Sequence, residues 1–309
     1  MVIWLLSHQR SGSHFLRDTL NSANGNDPNV PPVLVSPGEC LTRYDNRLGN
    51  EHNDKNWNLW DYLAKKRAEA SEGSVSDSGN KKFLSSQSTL ARPVTPSELD
   101  AYFLSLATAY EDQVFLGDVK INQLHVADGL YRSPSSPPLF LYQMIEKGKV
   151  IFLTRGNLLE AYLSGVKAAK TNVWHSLRVD STQTKDKSVN IPSLHISPEQ
   201  ARWGIKVLEA DILVTKKWLD LWGASVLHVT YEHLFDHETG IVDQQAFHCI
   251  ATFCGLPTHL PWRSALIRNA SRSNLSEVAN RIELEDYFRC HGEERWFSYE
   301  LERKSFQAA

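Results

Sequence analysis

The chain has 309 residues, 33 basic against 36 acidic side chains and a formal net charge of −3, with 41% hydrophobic and 22% charged residues. That is a globular composition. Its near-neutral balance excludes a general attraction to nucleic acid or to an anionic membrane, so an anionic ligand must be met by a local cluster of charge.

No apolar run approaches the roughly 18 residues of a membrane span. The start, Met1-Val2-Ile3-Trp4-Leu5-Leu6, lacks a basic segment and a small-residue cleavage site, so no secretory signal is expected. Cys40, Cys249, Cys254 and Cys290 form no CxxC pair. Neither a disulfide framework nor a zinc site is expected, and the cysteines read as reduced thiols of a cytoplasmic protein.

In chain order, Val2 to Leu6 is a continuous apolar run, as in a strand buried on both faces. A polar loop follows, and then Phe15, Leu16 and Leu20 at helical spacing. Residues 21–60 read as irregular, ordered loops. The Ser/Gly/Lys-rich stretch 71–90 reads as a mobile excursion or lid. Thr95-Pro96-Ser97-Glu98 is a helix start, predicting a helix to about Asp112.

Val114 to Val119 predicts a second strand. Pro137-Pro138 opens a helix ending near Gly148. Val150 to Thr154 is a third strand, and Leu158 to Lys170 the helix after it. Ser197-Pro198-Glu199-Gln200 starts a long helix whose Ile205, Leu208, Ile212, Leu219 and Trp222 form one core-facing stripe. Val226 to Val229 predicts a fourth strand, followed by helices over 243–254 and near 275–290. Alternating strands and helices predict an α/β fold with a parallel sheet.

In such folds ligands sit at the carboxyl ends of the strands, where the loop Gln9-Arg10-Ser11-Gly12-Ser13-His14 lies. Ser11, Gly12 and Ser13 let the backbone approach an anion, and the helix that follows turns its free N–H groups toward it. Arg10 adds a full charge. This is an anion cradle but not a Walker A loop, which requires GxxxxGK[ST]. A metal-dependent nucleotide kinase of related topology is therefore disfavoured. A nucleotide-binding protein without catalysis is the other alternative.

Two further blocks accompany the loop. Val150-Ile151-Phe152-Leu153-Thr154-Arg155 puts an arginine past a strand, with Ser164 on the next helix. Val226-Leu227-His228-Val229-Thr230-Tyr231-Glu232 ends a strand in an aromatic–acidic pair. In this order the blocks resemble the sulfotransferases that use 3′-phosphoadenosine 5′-phosphosulfate (PAPS). Within them the chain is most similar to the bacterial trehalose and nodulation-factor type, a likeness shared by Thr171-Asn172-Val173-Trp174-His175 and covering residues 1–290 or so.

The resemblance implies a P-loop-like sheet flanked by helices, in a single domain over 1–309. It implies PAPS as sulfo donor, the desulfated nucleotide PAP as product, and no metal. The acceptor it implies is a hydroxyl of a small molecule: a carbohydrate, or a secondary metabolite such as a saxitoxin-type alkaloid. No nucleic acid or membrane partner is implied, and a homodimer is compatible with the related bacterial enzymes.

By position, Arg10, Ser11, Gly12, Ser13 and His14 would hold the 5′-phosphosulfate, and Arg155 with Ser164 the 3′-phosphate. Arg155 and Ser164 are nine residues apart, where many of these enzymes have eight. On one helix that spacing would set them about 180° apart, so Arg155 must precede the helix. Arg10 is one candidate to meet charge on the leaving group, and Lys120, which matches a family basic residue, is another. Glu39 matches the general base of the trehalose type, with His8, His14 and His175 as other candidates. Trp174 could stack on adenine or line the acceptor pocket. Arg272 falls in a C-terminal block that closes over the nucleotide in some members, and Glu39, Asp45 and Glu51 gather in the loop region over the acceptor.

Overall fold

A computed structural model describes residues 1–24, 33–41, 58–72, 94–124, 138–171, 193–235, 241–258, 261–264 and 274–297. The apolar run at the start is strand β1 (Val2–Ser7). Alternate residues of a strand face opposite sides. Trp4 and Leu6 accordingly enter one core cluster, and Ile3 and Leu5 another.

Strands β2 (Leu34–Val35), β3 (Val114–Lys120), β4 (Lys149–Thr154) and β5 (Val226–Thr230) complete a five-stranded sheet in the order β2-β3-β1-β4-β5. Every pairing is parallel. The chain leaves β1 toward β2 and β3, then crosses to β4 and β5, so the direction of winding reverses at β1. A crevice at the carboxyl end of β1 follows from that reversal. Register does the rest: Ser7 of β1 stands beside Lys120 of β3 and Leu153 of β4.

Helices cover both faces of the sheet. On the Trp4 side lie α2 (Leu59–Glu72), α3 (Pro96–Ala109) and α4 (Leu139–Lys147). On the Leu5 side lie α1 (Ser13–Asn21) and α7 (Gln244–Cys254). A third cluster joins α5 (Leu158–Thr171), α6 (Pro198–Leu221) and α8 (Arg281–Cys290). No described helix is long and apolar enough to cross a membrane.

The predicted starts hold where caps were read. Thr95 Oγ1 accepts the Glu98 N–H and Glu98 returns a bond to the Thr95 N–H, closing the capping box of α3. Ser197 caps α6 through the Gln200 N–H. The stripe on α6 is confirmed at Ile205 and Leu219, which are buried, while Leu208, Ile212 and Trp222 are half-buried.

Residues 21–60 are less irregular than expected. Asn24 pins Leu34 with bonds to its N–H and its C=O, both 2.8 Å, and β2 pairs with β3 from there. Helix α2 begins at Leu59, within the same stretch. Helix α3 stops at Ala109 rather than near Asp112, because Tyr110 turns inward against Phe115, ring centroids 4.9 Å apart. The helix expected near 275–290 is a 3-10 turn (Asn274–Glu277) followed by α8. Of the excursion at 71–90, residues 71–72 end α2 and the remainder lies outside the described residues.

Candidate functional site: two basic clusters at one loop

The loop after β1 carries its own signature in the backbone. Arg10 has φ 64° and Gly12 φ 87°. A left-handed conformation costs a side-chain-bearing residue about 1–2 kcal/mol, and such strain collects at functional loops. Gly12 also has no room for a side chain, since a Cβ there would overlap the Tyr231 ring. Gly12 precedes α1, and no side chain among the described residues caps that helix. Its leading N–H groups and positive dipole end therefore face the crevice.

Lys120 forms the first pole. Register brings the end of β3 beside the end of β1, and the Lys120 ammonium donates to Ser13 Oγ (2.5 Å), Asp118 Oδ1 (2.7 Å) and Ser7 Oγ (3.2 Å). The loop thus has a lysine after all, supplied from a neighbouring strand. Asp118 is fully buried and stands 3.3 Å from Arg17 Nε on α1. Burial alone would raise the Asp118 pKa, but Lys120 and Arg17 outweigh it and hold the carboxyl below the ordinary range.

Glu39 joins this pole. Beyond β2 the backbone pairs once more with β3: Asp118 N–H donates to Gly38 O (3.3 Å) and Cys40 N–H to Asp118 O (2.8 Å). That short ladder sets Glu39 Oε1 3.8 Å from the Lys120 ammonium, and Gln123 donates to Glu39 Oε2 (3.2 Å). Glu39 keeps some exposure, with a side chain 21% accessible.

Arg10 and Arg155 form the second pole. Arg10 Nε donates to Ser164 Oγ (3.0 Å), and Arg155 donates to the Arg10 carbonyl (3.3 Å). Arg155 precedes α5, which begins at Leu158, so the nine-residue spacing brings Arg155 and Ser164 to one place. The Arg155 guanidinium lies 4.8 Å from the centre of the Tyr231 ring. Its Nε is buried and makes no hydrogen bond among the described residues.

Burial first, and the Arg155 charge second, push the Arg10 guanidinium below its ordinary range. Glu160 is 3.8 Å from Arg155, but its carboxylate also accepts from the backbone N–H groups of Asn274 and Leu275. Glu232 caps the start of α5 by accepting the N–H groups of Gly156 and Asn157.

His8 lies between the poles and is 3% exposed. Its Nδ1 contacts the Gln9 carbonyl (3.1 Å), and its Nε2 is buried without a partner among the described residues. Burial lowers its pKa, and Arg155 and Lys120 push the same way. Burial thus disfavours the charged form of the His8 ring. Ser11 turns its hydroxyl back to the His8 carbonyl (2.6 Å), so it shapes the loop through that bond. His14 is half-buried on the first turn of α1, and its charge bears on Asp118.

Arg272, Trp174, His175, Asp45 and Glu51 lie outside the described residues. Sequence reasoning missed Asp118, Arg17 and Gln123, and read Tyr231 only as part of the aromatic–acidic pair that ends a strand. A signal existed for Asp118: a carboxylate in a strand buried throughout, two residues before a lysine and hence on the same face.

Among the described residues, no group of three or more His, Cys, Asp or Glu side chains comes together to hold a metal ion. The arrangement suits a ligand with two separate anionic groups. One would meet the α1 N-terminus and Lys120, and the other the two guanidiniums and Ser164. Compared with known proteins, the chain matches no protein-family model and no curated protein sequence.

Proposed function

We propose that the chain is a sulfotransferase that uses PAPS to sulfate a hydroxyl of a small molecule, a carbohydrate or a secondary metabolite. The observation that carries this reading is the convergence of Arg10, Arg155 and Ser164 at a distance from the Lys120 pole along the same loop. Neighbouring guanidiniums repel one another and are suited to a dianion, which paired N–H forks grip well. A nucleotide phosphorylated at both the 5′ and 3′ positions offers one anion to each pole. Buried Arg155 Nε, without a partner among the described residues, is a donor such a phosphate would satisfy.

In this reading PAPS supplies an activated sulfo group. Sulfuryl transfer requires the acceptor oxygen, the sulfur and the leaving oxygen in line. Glu39 takes the proton of the acceptor hydroxyl as its oxygen bonds to sulfur. The bond from sulfur to the phosphate oxygen breaks, and the charge left on that oxygen is met by Lys120, Ser13 and the α1 N–H groups. Glu39 and Lys120 lie 3.8 Å apart, close enough to serve opposite ends of one transfer. Asp118 and Arg17 hold the Lys120 ammonium in place without touching the reactants.

Calorimetric titration with PAP tests the reading. Micromolar binding is expected, falling about 30-fold in Arg155→Ala, which corresponds to about 2 kcal/mol for a charged hydrogen-bonded contact. Adenosine 5′-phosphate should bind weakly and alike to both proteins. Absence of PAP binding, or equal binding of PAP and adenosine 5′-phosphate, sinks it. A panel of hydroxylated acceptors with labelled PAPS then identifies the second substrate.

A further inference from the structure

Glu39 reaches the site on a loop whose backbone is well held. Asp118 bonds to Gly38 and Cys40 on either side of it, and Asn58 donates to the Glu39 carbonyl (3.3 Å). None of this fixes the carboxylate, which sits at the end of a flexible side chain. Lys120 does not fix it either. An ammonium has three N–H donors, and those of Lys120 go to Ser13, Asp118 and Ser7. At 3.8 Å Lys120 offers Glu39 its charge without a hydrogen bond.

Gln123 supplies that bond. It ends the 3-10 turn Ile121–Gln123 directly after β3, and the turn is anchored by Ile121 and Leu124, both buried in the Trp4-side core. Its Oε1 accepts the Lys120 backbone N–H (3.3 Å). A backbone N–H can bond only the oxygen of a side-chain amide, so this contact turns the NH2 group of Gln123 to Glu39 Oε2 (3.2 Å). One side chain thus takes its position from the end of β3 and passes it to the Glu39 carboxylate. We propose that Gln123 is a positioning residue for proton removal, holding the Glu39 carboxylate in the orientation in which it takes the proton of the acceptor hydroxyl. The inference rests on the sulfotransferase reading and adds to it a residue that acts through Glu39. A general base must be held to about half an ångström by such a support.

Release of PAP from PAPS, with trehalose and water as hydroxyl probes, is measured beside calorimetric binding of PAP. Gln123→Met keeps the shape and removes the donor. It should lower the maximal rate about 30-fold, the worth of a hydrogen bond to a charged group, and leave the KM for PAPS and the affinity for PAP unchanged. Gln123→Glu keeps an oxygen for the Lys120 N–H and loses only the donor, so its rate should fall at least as far with an unchanged unfolding midpoint. A residue that merely braced the turn would leave Gln123→Glu at the native rate. In a Glu39→Ala chain, whose residual rate lacks the base, adding Gln123→Met should change nothing, the mark of a residue that works through its partner. With PAP bound normally, equal rates in the native and Gln123→Met chains, or equal losses with and without Glu39, overturn this inference alone. Absence of PAP binding by the native chain overturns the sulfotransferase reading and this inference with it.

Discussion

Charge is handled differently at the two ends of the loop. Around Lys120, two cations and two carboxylates offset one another: Lys120 and Arg17 against buried Asp118 and nearby Glu39. Around Arg155, Glu160 stands 3.8 Å from the guanidinium, and its carboxylate is also engaged by the chain at 274–275. The first pole is internally neutral. At the second pole the Arg10 and Arg155 guanidiniums lie close enough for each to bear on the other's charge, an arrangement suited to an anion.

The largest expected effect tests the neutral pole. Asp118→Asn leaves Lys120 and Arg17 buried without their shared carboxylate, and urea unfolding should show a loss of about 3–5 kcal/mol. A loss below about 1 kcal/mol would mean that the pole does not depend on internal neutrality. Gly12→Ala comes next. The strained backbone and the overlap with Tyr231 together should cost about 2–4 kcal/mol. Adding Tyr231→Ala should return the part due to overlap and none of the part due to backbone.

His8 reads the field of both poles at once. Its folded pKa lies below the unfolded value of 6.5 through burial, helped by Arg155 and Lys120. Between those two values the unfolded chain binds a proton that the buried ring refuses. This contribution to stability is complete above pH 6.5 and declines as pH falls below it. Denaturant unfolding at pH 7 and pH 5 should therefore show a steeper decline in the native chain than in His8→Asn. Identical slopes would remove His8 from the comparison. Saturating PAP should narrow the gap by neutralising the field. The smallest effect is at Ser164→Ala, where losing the acceptor for Arg10 should cost about 1 kcal/mol of PAP binding, roughly fivefold.

Much of this was legible because single residue types carried it. A strand buried on both faces reads as an unbroken apolar run, and β1 does. Thr95 with Glu98 reads as a cap, and Arg155 reads as lying past a strand and ahead of a helix, where it stands. What escaped depended on partners far along the chain. Strand β2 has two residues and exists because Asn24 and β3 hold it. Helix α2 has a dispersed pattern, and its Leu59, Trp60 and Leu63 are buried by tertiary packing. Arg17 gave no signal in the sequence, because its partner Asp118 comes from β3, about a hundred residues further along. Tyr231 read as the end of a strand, while its contacts with Gly12 and Arg155 come from the sheet order.

That sheet order has a consequence for the protein's synthesis. Strand β1 lies in the middle of the sheet, yet the residue beside Ser7 on β3 is 113 positions further along. At ordinary elongation speeds β1 leaves the ribosome on the order of ten seconds before its first central neighbour. Throughout that interval the run Val2–Ser7 has both edges without their strand partners. The element that organises the candidate site is thus the one the nascent chain must shelter longest. Slowing translation between β1 and β3 should lower the yield of folded protein more than the same delay placed after β5.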